Sequence, residues 1–255
     1  QMVEIKPGAS AEIPEIAEAV RAGSLRRSLV ASDQMALVRM AAGLNILMNY
    51  PHGCTEQRLS RARAFIAFKE FNARLYRDGQ EKELKRVVND VLAWLPGVVD
   101  NNGLVSYWPG SNGYVSLTAW VTEFLVEAKR AGFVVDQAIF DRLVGTLQQA
   151  LRSDYTRFIT GESYTERVMA LRALAAAGRL DNSYVAELAR RTDYLNLESS
   201  AQVWRLLDTA GMTPDEISLY DFNAGLRAEI DGITAARTAE ASAAGTKSLV
   251  SSLAV

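Results

Sequence analysis

One cysteine and one histidine in 255 residues set the first limits on this chain. Cys54 has no second thiol for an internal disulfide, and His52 alone cannot build a His-rich metal site, so neither a metal nor another cofactor is expected. No apolar run reaches the 18 or so residues that mark a membrane-spanning helix. Neither sign of charge dominates: 28 Lys and Arg face 30 Asp and Glu, a formal charge of −2. A polyanion or nucleic-acid binder would carry a basic excess, and none is present. The first eight residues, Gln1 to Gly8, lack the basic start and apolar stretch of a signal peptide. A chain that starts at Gln1 reads as an excised fragment of a larger protein, with 1–12 and 234–255 as candidate incomplete edges.

What is present is ordinary globular composition, 49% hydrophobic and 23% charged, enough for one large domain without covalent staples. Helical periodicity runs through most of it. Leu84, Val87, Val88, Val91, Leu92 and Leu95 form one apolar stripe, and Leu37, Met40, Leu44, Leu47 and Met48 another. Leu117, Trp120, Val121, Phe124, Leu125 and Ala128 form a third, and Val168, Leu171, Leu174 and Ala175 a fourth. Ala-Gly pairs at 131–132, 177–178 and 210–211 read as helix stops. Thr213-Pro214-Asp215-Glu216 has the residues of a helix start. The spacing predicts helices near 33–49, 56–77, 81–96, 116–131, 136–151, 163–177, 183–191 and 195–210, taken as consecutive hairpins. Hairpins repeating at this interval either stack as a solenoid or close into an α/α toroid, and periodicity does not separate the two. The fold class is all-α.

One segment interrupts the helices. Asn102-Gly103 and Asn112-Gly113 bracket Leu104-Val105-Ser106-Tyr107-Trp108-Pro109-Gly110, which predicts a small β-hairpin or loop near 102–113. Its rings either cover the end of the core or do something more specific.

The chemistry concentrates in Tyr50-Pro51-His52-Gly53-Cys54-Thr55-Glu56-Gln57. Proline and glycine ahead of the cysteine force a tight, non-helical entry. Thr55 can cap a helix starting near Glu56. That would leave Cys54 at the positive end of a helix dipole, where a thiolate is stabilised. Gln57 lies three positions on, so its carboxamide carbon can reach back to the sulfur. Taken alone, a cysteine at such a place is also compatible with a small buried hydrophobe. The basic run Arg58-Leu59-Ser60-Arg61-Ala62-Arg63 reads as a solvated helix face or as a set of salt-bridge donors to neighbouring domains.

This octet resembles the thioester motif of the α-2-macroglobulin and complement thioester-protein family, most closely its bacterial branch. The family pattern Gly-Cys-x-Glu-Gln is matched by Gly53, Cys54, Thr55, Glu56 and Gln57, and the bacterial prefix by Tyr50, Pro51, His52 and Gly53. The resemblance implies a single thioester domain over 1–255, an α/α toroid of about six helical hairpins cut from a multidomain protein. It implies an internal Cys54–Gln57 thioester that captures proteases through lysine amines, in a periplasmic or cell-surface inhibitor that is not an enzyme. Tyr50 matches the tyrosine that shields the bond in bacterial relatives; Tyr107 and Trp108 are further candidates for shielding by composition alone. His52 is either a packing residue or a base for the incoming nucleophile. Some complement relatives place a histidine about 110 residues downstream; this chain has Glu162-Ser163-Tyr164-Thr165-Glu166-Arg167 there, which implies direct attack by amines. Two alternatives stand beside this reading. One is a toroid hydrolase with Cys54 as nucleophile, and the other is a structural module without the intact bond.

Overall fold

The structure, a computed structural model, describes residues 53–71 and 80–213, with the isolated positions 8, 10, 12 and 43. The chain divides into two compact units, Gln1–Gly43 and Leu44–Val255, and every element described below belongs to the second. The expected helices near 33–49 (Gly43 excepted), the helix start at 214–216 and the 234–255 tail lie outside the described residues, as do Tyr50 and His52.

Seven α-helices and one two-stranded ribbon make up the described residues: α1 Thr55–Phe71, α2 Gln80–Trp94, β1 Val105–Ser106, β2 Gly113–Tyr114, α3 Val115–Arg130, α4 Gln137–Ala150, α5 Ser163–Ala176, α6 Asn182–Ala189 and α7 Leu197–Thr209. The all-α class holds, and the helix bounds follow the apolar stripes closely. Each Ala-Gly stop is a left-handed glycine (φ 90°, 69° and 84° at Gly132, Gly178 and Gly211). At each one the following residue donates its N–H back to a carbonyl inside the helix: Phe133 to Ala128, Arg179 to Leu174 and Met212 to Leu207. Asp136, Asp181 and Asn196 cap the starts of α4, α6 and α7 with side-chain oxygens.

Two of the expected pairs are in contact, 136–151 with 163–177 (α4 with α5) and 183–191 with 195–210 (α6 with α7). α1, α3, α5 and α7 form one layer in which each touches the next, while α2, α4 and α6 pack onto that layer from one side of the sequence or both. The expected 81–96 with 116–131 pair is therefore corrected: α2 packs chiefly on α1. The physical reason is that α3 has two buried sides. Val115 and Ala119 join a core with α4 to α7, whereas Leu117, Val121, Phe124, Leu125 and Ala128 join a second core with α1 and α2. Full burial of Phe124 alone is worth about 1.5–3 kcal/mol. The polar residues on these sides satisfy themselves locally: the Thr118 and Thr122 hydroxyls donate to the carbonyls of Tyr114 and Thr118.

Between α2 and α3 the chain makes the expected hairpin, with Val105 opposite Tyr114 and Ser106 opposite Gly113. Asp100 organises it. One carboxylate oxygen accepts from the N–H groups of Asn102 and Leu104, and the other from Gly113, at 2.8, 3.0 and 3.1 Å. Gly113 is required by proximity, since a Cβ there would sit inside the contact distance of the Leu104 backbone. This ribbon brings the 107–108 tip to the start of α1.

Candidate functional site

Helix α1 begins one residue earlier than its sequence suggests. The Cys54 carbonyl accepts the first helical bond from the Arg58 N–H at 3.0 Å, so Cys54, not Thr55, occupies the N-cap position. Gln57 is then the third helical residue, and its Oε1 accepts from the Cys54 backbone N–H at 3.2 Å. That is the reciprocal half of a capping box, in which the N3 side chain reaches back to the N-cap amide. Here the N-cap side chain is a thiol and the N3 side chain a carboxamide. The cap that starts the helix thus holds the carboxamide folded back over the residue bearing the thiol. Cys54 is buried at 9% exposure.

Thr55 does not cap its helix. Its hydroxyl lies against the hairpin, 2.8 Å from the Ser106 carbonyl and 3.0 Å from that of Tyr107 as donor, and it accepts from the Trp94 indole N–H at 3.0 Å. Its backbone N–H donates to the Tyr107 carbonyl at 2.9 Å. A wholly buried threonine with every polar group paired joins three elements at the residue following the cysteine. Glu56 is the first-turn acid expected from the helix dipole, and it accepts from the Ser60 hydroxyl at 2.8 Å.

Arg58 was not singled out by the sequence, yet it grips the turn. Its Nε donates to the Gly53 carbonyl at 2.6 Å, and its guanidinium lies 4.2 Å over the Trp94 ring. A Cβ on residue 53 would meet Arg58 Nη2 at 3.1 Å, so a larger residue there would press the guanidinium aside by a few tenths of an ångström. The rest of the basic run is no solvated face. Arg61 pairs with Glu83, while Arg63 pairs with Glu127 at 2.6 Å and with Glu123, which also binds Arg172 on α5.

The aromatic tip stays open: Tyr107 is 41% and Trp108 49% exposed. Tyr107 meets Tyr114 edge-on at 5.5 Å, and Trp108 meets Trp94 edge-on at 6.5 Å. Partial burial, and then the neighbouring Glu56 and Cys54, push the Tyr107 phenol above its ordinary value. The region about 110 residues downstream of the cysteine carries structural groups. Tyr164 stacks on Tyr194 at 4.9 Å, and the buried Glu166 accepts from Ser116 and Ile159 N–H groups at 2.9 and 2.8 Å. Glu166 thereby caps the start of α3, a role hidden in the sequence because an acid beside an apolar stripe ordinarily faces water. Among the described residues no group of His, Cys, Asp and Glu could hold a metal ion, and no helix is long and apolar enough to cross a membrane.

No family model matches the chain. Among individual proteins, an alpha-2-macroglobulin of Xylella fastidiosa (strain Temecula1 / ATCC 700964) is 29% identical over 161 residues, which cover 61% of this chain and 10% of that protein. The chain thus spans about a tenth of the length of the curated relative it matches. Two solved structures share the fold. Alpha-2-macroglobulin from Escherichia coli, spanning domain MG7 to the C-terminus, superposes with a TM-score of 0.60 at 22% identity, over 71% of this chain and 30% of that one. Salmonella alpha-2-macroglobulin reacted with methylamine gives 0.61 at 18% identity, over 71% of this chain and 13% of that one. With the helical fold in common with these structures and the sequence match beside it, the chain is a homologue of the bacterial alpha-2-macroglobulins.

Proposed function

We propose that residues 1–255 form the thioester domain of a protease-trapping inhibitor, a toroid of about six hairpins, and that Cys54 and Gln57 are its reactive pair. The observation that carries this reading is the 3.2 Å bond from the Cys54 N–H to Gln57 Oε1, which folds the acyl group back onto the residue that bears the nucleophile. In ring closure the Cys54 sulfur bonds to the Gln57 side-chain carbonyl carbon. The carbon–nitrogen bond breaks, and ammonia leaves with the thiol proton. In capture a lysine amine of the protease bonds to the same carbon, the carbon–sulfur bond breaks, and the thiol is restored. The device acts once and does not turn over, so it is not an enzyme. Sulfur donates little resonance to the carbonyl, so water would open the bond unless the site is kept dry. Tyr50 by sequence position, and Tyr107 and Trp108 by their place beside α1, are the proposed shield. The parent protein would work outside the cytoplasm, in the periplasm or at the cell surface, with neighbouring domains of the same chain completing the cover.

No observation favours the hydrolase alternative. The two buried acids among the described residues, Glu123 and Glu166, are committed to arginines and to backbone N–H groups. The test is intact mass before and after methylamine. A chain carrying the cross-link is lighter by one ammonia, gains one methylamine, and releases one titratable thiol. A chain with the mass of the free residues that takes up no methylamine would instead be the structural module.

A further inference from the structure

The Gly53 carbonyl and the Cys54 N–H belong to one peptide plane, and that plane is held at both ends. Arg58 Nε donates to its oxygen at 2.6 Å, and its N–H donates to Gln57 Oε1 at 3.2 Å. The second of these contacts reaches the oxygen that gains negative charge when the Gln57 carbonyl is attacked. Drawing electron density toward the Gly53 oxygen strengthens the N–H at the other end as a donor, because linked hydrogen bonds polarise one another. A cation on the carbonyl does this more strongly than a neutral partner. The arginine is itself fixed. Its Cζ lies 4.2 Å from the centroid of the Trp94 ring, whose indole N–H is tied to Thr55 Oγ1 at 3.0 Å, and Trp108 closes edge-on against the same ring. A lysine could supply the charge but not the flat, stacked geometry.

We infer that Arg58, seated on Trp94, is a positioning residue that acts through the 53–54 peptide on the acyl oxygen of Gln57. It thereby sets the rate at which the proposed cross-link closes and is opened by amines. The inference rests on the thioester reading. It assigns a role to two residues outside the Gly-Cys-x-Glu-Gln pattern, and to the indole N–H in particular.

The experiment measures, on the whole chain, the closed fraction by intact mass and the rate of methylamine opening for wild type, R58A, R58K and W94F. L147A serves as control, a core truncation in the cluster that α1 does not join. R58A is expected to slow opening by about 10-fold to 10²-fold, the upper end being the cost of a misplacement of about 1 Å in an oriented reaction. R58K should recover only part of the rate. W94F, which leaves a smaller aromatic ring under Arg58 and removes the donor to Thr55, should fall between R58K and wild type. L147A should melt lower with its opening rate unchanged. Equal rates in R58A and wild type, or equal slowing in L147A and R58A, would overturn the role of Arg58 and leave the thioester reading standing. If R58A does not fold, W94F against L147A decides the same question. A wild-type chain that never carries the cross-link overturns both.

Discussion

Replacing Thr55 with valine removes one hydroxyl and almost no volume. In the folded chain that hydroxyl donates to the Ser106 and Tyr107 carbonyls and accepts the Trp94 indole N–H, inside a residue with no exposure. The Tyr107 carbonyl keeps the Thr55 backbone N–H, so it is not stranded. The indole N–H loses its partner, at a cost of about 1–3 kcal/mol for a buried donor, and half-burial of Trp94 puts it near the lower end. Adding the lost bond to the Ser106 carbonyl, about 1 kcal/mol, gives a total near 2 kcal/mol. For a chain of this size that corresponds to a fall of about 4–8 °C in Tm. Urea unfolding followed by tryptophan fluorescence measures it, with an unchanged slope showing that stability and not compactness has moved. T55S, which keeps the hydroxyl, should lie within about 1 kcal/mol of wild type. The T55V and W94F pair should couple by at least about 0.5 kcal/mol in a double-mutant cycle. A T55V chain as stable as wild type, or a T55S chain as damaged as T55V, would refute the account, because the loss would then lie in packing or nowhere.

Three other outcomes are expected. E166Q should cost about 1–3 kcal/mol, because an amide nitrogen cannot accept and must face either the Ser116 or the Ile159 N–H; thermal melts measure it. G113A should destabilise by about 1–3 kcal/mol through overlap with the Leu104 backbone, and if the proposed thioester forms it should also reduce the fraction that takes up methylamine, since the hairpin holds the Thr55 amide. The Arg86 guanidinium, with Arg61 adding, holds the Glu83 carboxyl below its ordinary range, so its contribution is present above the unfolded value and lost as pH falls through the folded one. E83Q should therefore be less stable than wild type by under about 1 kcal/mol at pH 7, with the gap closing well below about pH 4.3, as paired urea titrations would show.

Much of the helical scaffold was legible because its signals are local. Apolar stripes at helical spacing mark α2, α3 and α5, and the Ala-Gly pairs mark where three helices end. The paired Asn-Gly turns announced the ribbon. What the sequence could not carry is which face meets which. A stripe says that a face is buried but not against what, so the two-sided burial of α3 and the packing of α2 on α1 came only from the structure. The start of α1 was misplaced by one residue for the same reason, since the Thr55 hydroxyl is claimed by carbonyls about fifty positions away. Cys54 and Gln57 stood out through the Gly-Cys-x-Glu-Gln pattern that resembles the thioester-protein family. Arg58 next to them did not, because its value depends on Trp94, which nothing local marks as a partner.

The amide of Thr55 and the carbonyl of Tyr107 share a single hydrogen bond, and Thr55 follows the sulfur-bearing residue directly. The ribbon tip that carries the outward-facing rings is consequently tied, backbone to backbone, to the turn that carries Cys54. A displacement of the ribbon tip is therefore passed to the peptide beside Cys54 through the backbone itself.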